Sequence, residues 1–152
     1  MPVNSGATPA AFESAGPKRS SHLRARIVVA EDDEEMRRLI TLALRKDGHD
    51  VTEVADGMRL LVHVVAREAE PERAFDLIIS DLRIPVSSGL QVLRGLRRSG
   101  WKVPFILCSA FGDESTRAEA EKLGAIYFDK PFELDDLRKV VRGIFSMDEE
   151  AR

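Results

Sequence analysis

The stretch that most constrains the fold of this chain runs from Phe75 to Pro85 and reads Phe-Asp-Leu-Ile-Ile-Ser-Asp-Leu-Arg-Ile-Pro. Its apolar run, Leu77 to Ile79, shows little alternation, which is typical of a strand covered on both faces in a parallel sheet. A lone carboxylate, Asp81, stands just after this run. In open α/β sheets, ligands bind just beyond the carboxyl ends of the strands. The sequence therefore predicts a functional carboxylate at the end of a buried strand.

Apolar residues along the rest of the chain predict that strands and helices alternate. Further short apolar runs predict four more strands, at residues 27–30, 51–54, 103–107 and 125–128. Helical spacing predicts a helix after each strand, and the apolar face of the second helix is marked by Leu60, Leu61, Val64 and Val65. Such alternation favours a parallel sheet with right-handed crossovers. We expect an α/β fold, flavodoxin-like and doubly wound, (βα)5, whose parallel five-stranded sheet has the order 2-1-3-4-5.

The two ends of the chain differ in composition from its middle. Residues 1–24 are rich in Ser, Ala, Pro and Gly without periodicity, which predicts a disordered N-terminal arm. Residues 25–146 are the predicted folded domain, and residues 147–152 are an acidic C-terminal tail. Up to Arg26 the chain carries four basic residues and one acid, hence +3, which leaves −6 for the remainder of a chain of net charge −3. The arm is either a solvated leader, which we favour, or a contact for an acidic partner or nucleic acid.

Composition argues against several classes of protein. The net charge of −3 does not fit a nucleic-acid surface over the whole chain, and no stretch reaches the ~18–20 apolar residues of a membrane span. The N-terminus lacks the apolar segment of a secretory signal. The single cysteine, Cys108, allows no internal disulfide and is most simply a buried strand thiol. We expect a cytoplasmic protein that binds neither membrane nor nucleic acid directly.

Polar residues stand at the predicted carboxyl ends of four strands. Glu31 and Asp32 follow the first strand, Asp81 the third, Ser109 the fourth and Lys130 the fifth. Each has an ordinary explanation by itself, such as helix-start acids or a surface lysine. Together they would share one edge of the sheet, where converging carboxylates require a cation and oxygen ligands suit Mg²⁺. Such a site could transfer a phosphoryl group, with an aspartate as the nucleophile.

These motifs closely resemble the receiver (CheY-like) domain of bacterial two-component response regulators. The resemblance covers about residues 26–144, and the pieces that carry it are Ile27-Val28-Val29-Ala30-Glu31-Asp32-Asp33, the Asp81…Pro85…Gly89 loop, Ser109-Ala110 and Lys130-Pro131-Phe132. Any one of these pieces is a weak signal, and the combination is specific.

The resemblance implies a role for each matching residue. Asp81 is expected to be the phosphoacceptor. Glu31, Asp32 and Asp81, with the backbone carbonyl of Arg83, are expected to bind Mg²⁺, and the alignment leaves Asp33 outside this set.

Three residues of the fourth and fifth strands complete the implied site. Ser109 is expected to reach the phosphoryl oxygen through its hydroxyl, and Lys130 to contact it as a cation. Tyr127 is expected to be an aromatic switch. The resemblance also implies a cis peptide bond between Lys130 and Pro131.

The resemblance further implies a signalling protein with no enzymatic activity beyond its own phosphorylation and dephosphorylation. A sensor histidine kinase or a histidine phosphotransfer protein would supply the phosphoryl group in a phosphorelay. A downstream protein would bind through the 113–145 face, and the chain would be a monomer or a weak dimer.

Three alternatives stay open. After Ile144 only eight residues remain, which favours a receiver without its own output domain, although the chain could be the N-terminal part of a longer regulator. An aspartyl-phosphate phosphatase is a different class, but such enzymes usually carry a second acid two places after the nucleophile, where this chain has Arg83. An unphosphorylated interaction module is the third, and the complete set of acids, Ser109 and Lys130 argues against it.

Overall fold

Strands and helices alternate along the part of the chain that the structure describes. This computed structural model describes residues 24–110 and 112–151, with only the backbone for residues 147–151. Residues 1–23, nearly all of the predicted arm, lie outside the described residues. The elements in order are β1 (Arg26–Ala30), α1 (Glu34–Lys46), β2 (Asp50–Val54), α2 (Gly57–Glu68), a 3₁₀ turn (Pro71–Arg73), β3 (Leu77–Asp81), α3 (Gly89–Arg98), β4 (Phe105–Ser109), α4 (Glu114–Lys122), β5 (Ile126–Asp129) and α5 (Leu134–Ala151).

The strands form one parallel sheet in the order β2-β1-β3-β4-β5, which confirms the predicted fold and strand order. β3 lies in the middle, with Ala30 of β1 opposite Ser80 and Cys108 of β4 opposite Asp81. Because all strands point the same way, the residues that follow β1, β3, β4 and β5 meet at one edge. This edge carries the candidate site.

Apolar side chains cover both faces of the sheet. One cluster packs β1, β3 and β4 against helices α2 to α4 through side chains such as Leu60, Leu93 and Ala120. The other packs the opposite face against α1 and α5 through Leu44 and Leu137. A strand buried on both faces needs apolar residues at every position, which explains the unbroken run in β3.

The observed boundaries differ from the predicted ones in a few places. β4 begins at Phe105 instead of residue 103, because Pro104 has no N–H to donate to the strand ladder. α5 runs from Leu134 to Ala151 and includes most of the acidic C-terminal residues. In α2, only Leu60 and Val64 of the predicted apolar face are buried, at 0% and 3% exposure.

A bidentate ion pair joins the end of α1 to α5. The Arg138 guanidinium lies 2.6 Å from Oδ1 and 2.9 Å from Oδ2 of Asp47. These hydrogen bonds lower the pKa of Asp47 and outweigh the effect of burial. Two parallel bonds from a planar guanidinium fix the geometry of the contact.

We expect Asp47→Asn to lower the free energy of unfolding by about 1 kcal/mol at pH 7, since it removes a partly buried charged hydrogen-bond acceptor. The pKa of Asp47 is lower in the folded chain, so its contribution is present above the unfolded value of about 3.9 and is lost as the pH falls through the folded value. Urea titrations at pH 7 and below pH 4 should show the gap between the two proteins closing.

Asp135→Asn is the matched control for this ion pair. Asp135 also contacts Arg138, at 3.1 Å, but its side chain is 78% exposed. This variant should be close to the parent in stability at both pH values. A gap for Asp47→Asn that stays constant down to pH 3 would contradict the assignment.

Candidate functional site

Three carboxylates from two strand ends meet at the edge of the sheet. Glu31 follows β1, and Asp81 is the last residue of the neighbouring strand β3. One oxygen from each of Glu31, Asp32 and Asp81 lies within 4.8 Å of the others. Glu31 is buried at 3% exposure, whereas Asp32 is exposed. The structure thus brings together the acids that the sequence singled out.

The ammonium of Lys130 lies between two of these acids. Its Nζ is 2.9 Å from Glu31 Oε1 and 2.9 Å from Asp81 Oδ1. The lysine follows β5, and its backbone N–H donates to the carbonyl of Ser109 at the end of β4. The peptide bond between Lys130 and Pro131 is cis, as predicted. One side chain therefore connects the ends of β1, β3 and β5.

Burial and pairing act in opposite directions on the charges of the site. Burial raises the pKa of Glu31 and of Asp81, and the hydrogen bonds from Lys130 only partly offset it. The nearby charge of Asp32 also raises the pKa of Asp81. For Lys130, burial would lower the pKa, but the hydrogen bonds to Glu31 and Asp81 raise it overall. The ammonium stays charged while both carboxylates are partly destabilised as anions.

Local hydrogen bonds hold Glu31 in place and give the Asp33 side chain a different role. The backbone N–H of Asp33 donates to Glu31 Oε2, and Arg37 Nη1 donates to the carbonyl of Glu31. The Asp33 carboxylate accepts from the backbone N–H groups of Glu35 and Met36 and caps α1. Asp33 is thus occupied as an N-cap, and it lies outside the carboxylate cluster.

The loop between β3 and α3 needs glycine at its end. A Cβ on Gly89 would lie 2.5 Å from the carbonyl oxygen of Asp81 and 2.8 Å from Ser80 Oγ. Any side chain there would push α3 away from the end of β3. Ser88 caps α3 in a reciprocal capping box with Gln91. This close approach explains the spacing between Asp81 and Gly89 in the sequence.

Ser109 and Arg83 take up positions beside the acids. Ser109 is buried at 2% exposure as the last residue of β4, the strand next to β3. The backbone of Arg83 hydrogen-bonds to the Asp81 carboxylate and opposes the rise in the pKa of Asp81. Cys108, opposite Asp81, is buried, and burial raises the pKa of its thiol to about 12.

Tyr127 lies on β5, opposite Leu107 of β4. Two residues near it were missed in the sequence: Gly112, whose Cα borders the Tyr127 hydroxyl, and Arg117, whose guanidinium carbon lies 4.5 Å from the centre of the Tyr127 ring. For Gly112, the sequence offered one signal, a glycine three places after Ser109 in the loop that follows β4. Arg117 gave none, because one arginine on a polar helix resembles any surface charge.

The donor set fits a hard divalent cation. The cluster offers carboxylate oxygens only, and Asp32 is exposed to solvent, so water can complete the coordination. Mg²⁺ prefers oxygen ligands and commonly binds through one or two carboxylates with water and phosphate oxygens. Glu31, Asp32 and Asp81 are suited to hold such an ion.

Sequence comparisons find similar proteins over most of the chain. The response regulator protein PmrA of Pseudomonas aeruginosa is 38% identical over 78% of this chain, which spans 52% of PmrA. The regulatory protein AtoC of Escherichia coli is 31% identical over 77% of this chain, which spans 24% of AtoC. Sporulation initiation phosphotransferase F of Bacillus subtilis is 27% identical, and here the chain spans 90% of the relative.

Solved structures share the fold. The receiver domain of the Francisella response regulator 1452 has a TM-score of 0.72 at 26% identity, covering 82% of this chain and 99% of that one. The family model of the response regulator receiver domain matches residues 27–142. The chain belongs to the response regulator receiver domain family.

Proposed function

We propose that Asp81 accepts a phosphoryl group from a sensor histidine kinase or a histidine phosphotransfer protein in two-component signalling. The observation that carries this proposal is the Lys130 ammonium, which lies 2.9 Å from the oxygens of both Asp81 and Glu31. An oxygen of Asp81 forms the new bond to phosphorus while the phosphorus–nitrogen bond of the donor histidine breaks and the imidazole leaves.

Mg²⁺ would bind to Glu31, Asp32, Asp81 and the backbone carbonyl of Arg83. When bound, the ion supplies positive charge that neutralises the transferring phosphoryl oxygens. The support for this set is the convergence of the three carboxylates and their oxygen-only chemistry. Asp33 is left out because its carboxylate caps α1.

Lys130 and Ser109 act on the phosphoryl group from the side of β4 and β5. The ammonium binds a phosphoryl oxygen and holds the charge of Asp81 in the correct position before transfer. The Ser109 hydroxyl donates a hydrogen bond to another oxygen. The hydrogen bond from the backbone N–H of Lys130 to the carbonyl of Ser109 keeps both side chains at the same edge of the sheet.

The signal would leave through Tyr127 and the 113–145 face, which binds a downstream protein. α4 has a weak apolar pattern, and Ala120 is its only buried residue. Few core contacts imply low local stability, so this helix is suited to shift between two packings. The chain would act in the cytoplasm as a monomer or weak dimer.

In the described residues, no helix combines the length and the apolar character that crossing a membrane requires.

Two alternatives to this proposal are a phosphatase and a longer regulator. A phosphatase with an aspartyl-phosphate intermediate would need an acid where this chain carries Arg83. A longer regulator, of which this chain is the receiver part, remains compatible with the proposal, since the phosphoryl chemistry would be the same.

We expect acetyl phosphate with Mg²⁺ to add one phosphate to the chain, seen as one mass increment in the intact protein. Asp81→Asn should abolish the addition, because an amide oxygen is a much weaker nucleophile than a carboxylate. Asp76→Asn is the matched control. Asp76 directly precedes the opposite end of β3, and its carboxylate contacts the backbone N–H of Arg26, so the same change of charge is made away from the candidate site.

The outcomes of this experiment separate the proposed functions. Continuous turnover of a general phosphatase substrate would favour the enzyme. An unchanged mass in the parent protein would contradict phosphoacceptance.

We expect Asp32→Asn to weaken Mg²⁺ binding about tenfold in isothermal titration, because the variant loses one anionic ligand. Asp33→Asn is the matched control, one residue away. Asn is also a good N-cap, so this variant should keep both its fold and the affinity of the parent. Equal losses in the two variants would show that general negative charge, and not this ligand set, binds the ion.

A further inference from the structure

The hydroxyl of Tyr127 lies in the interior of the protein. Its oxygen is buried and unpaired within the described residues. A buried hydroxyl without a partner carries a free-energy cost, so other contacts must hold the ring in this position. The ring therefore stays inward because of its packing and not because of its polar group.

Arg117 of α4 covers the ring from one side. Its guanidinium carbon lies 4.5 Å from the centre of the Tyr127 ring, close enough for a cation–π interaction. Arg117 is itself held by Asp129, with 2.6 Å between Nη2 and Oδ2. These contacts join α4 to β5 across the tyrosine.

Gly112 makes the space that the hydroxyl occupies. A Cβ at position 112 would lie 1.5 Å from the Tyr127 oxygen and 2.8 Å from Cζ of the ring. Both distances are below what two non-bonded atoms can adopt. The atom in conflict is the far end of a side chain that can rotate, so a residue with a side chain would displace the ring instead of the backbone.

The same space borders the candidate phosphoryl site. A Cβ at position 112 would lie 3.1 Å from Ser109 Oγ, and the carbonyl of Ser109 accepts the backbone N–H of Lys130. The space beside the Gly112 Cα is thus next to both the ring and the hydroxyl proposed to bind the phosphoryl group. Movement of the ring changes the surroundings of Ser109.

We propose that Gly112 is a positioning residue: the absence of a side chain at this position allows Tyr127 to lie inward and links the ring to the phosphoryl site. The link to the site rests on the proposed function, whereas the effect on the ring does not. Replacement of Gly112 by alanine moves the ring outward, past Arg117, and leaves the backbone of β4 and β5 in place.

The position of the ring is tested by NMR on Gly112→Ala. Tyr127 is the only tyrosine of the chain, so its ring signals are identified without ambiguity. The parent should show a nuclear Overhauser effect between the Tyr127 ring and the α-protons of Gly112, and the variant should lose the contact between the ring and residue 112. Gly143→Ala is the matched control, because a Cβ there meets nothing within 4 Å. A contact that persists in Gly112→Ala overturns the proposal.

A thermodynamic cycle keeps the test decisive if Gly112→Ala folds poorly. Gly112→Ala should destabilise the parent in urea but should have little effect in a Tyr127→Ala background, where the clashing group is absent. An equal loss of stability in both backgrounds would assign the effect to the backbone at position 112 and would overturn the role of the ring.

The link to the phosphoryl site is tested with beryllofluoride and Mg²⁺, followed by ¹⁹F NMR. If the inward ring favours the occupied site, Gly112→Ala should weaken binding about tenfold, as expected when the competent conformer becomes a minor one. The effect should vanish in the Tyr127→Ala background. Unchanged affinity in Gly112→Ala, with the ring displaced, overturns the link. If beryllofluoride does not bind to the parent protein, the proposed function is contradicted. The role of Gly112 is then decided by the nuclear Overhauser effect between residue 112 and the Tyr127 ring.

Discussion

The candidate site depends on one ammonium that lies between a buried carboxylate, Glu31, and a half-buried one, Asp81. Lys130 is 2.9 Å from both Glu31 and Asp81, which come from different strands. Removal of one partner from such a group would leave an uncompensated charge in a poorly solvated place. The parallel strand order brings the three residues to one edge of the sheet. The hydrogen bond from the backbone N–H of Lys130 to the carbonyl of Ser109 fixes the position of the lysine backbone at that edge. The fold therefore holds Lys130, Glu31 and Asp81 close enough for this contact to form.

The burial of carboxylates at this edge has a cost in stability. Burial raises the pKa of Glu31 and of Asp81, so both are less stable as anions here than in water. A protein selected only for stability would place apolar or neutral residues at these positions. Perturbed carboxylates beside a lysine are typical of sites that bind or transfer charged groups. The instability is therefore itself an argument for function, and a cation or a phosphoryl group changes the balance of charge.

Much of the fold and of the site could be predicted because strand ends are visible in the sequence. Apolar runs mark the buried strands, and the polar residues directly after them mark the shared edge. The faces of α2 could not be predicted. Leu61 and Val65, assigned to the apolar face, are 37% and 50% exposed. Apolar residues are so frequent along this helix that their spacing predicts the helix but does not show which of them face the sheet. The contact between Tyr127 and Arg117 was also hidden, since it depends on a ring rotamer that residue spacing does not encode. Only the glycine three places after Ser109 left a sign in the sequence.

Under the proposed function, the inward tyrosine is the contact that connects the site to α4. A path between two places carries a signal only if it contains an element with two arrangements that both places can bias. A phosphoryl group on Asp81 would compete with Glu31 for the Lys130 ammonium and would attract the Ser109 hydroxyl. Ser109 borders the space beside Gly112 that the Tyr127 hydroxyl fills, and Arg117 of α4 lies on the other side of that ring. Because the Tyr127 hydroxyl has no hydrogen-bond partner among the described residues, packing alone sets the balance between the inward and outward positions of the ring, and under the proposed function occupation of the site shifts that balance toward the inward position.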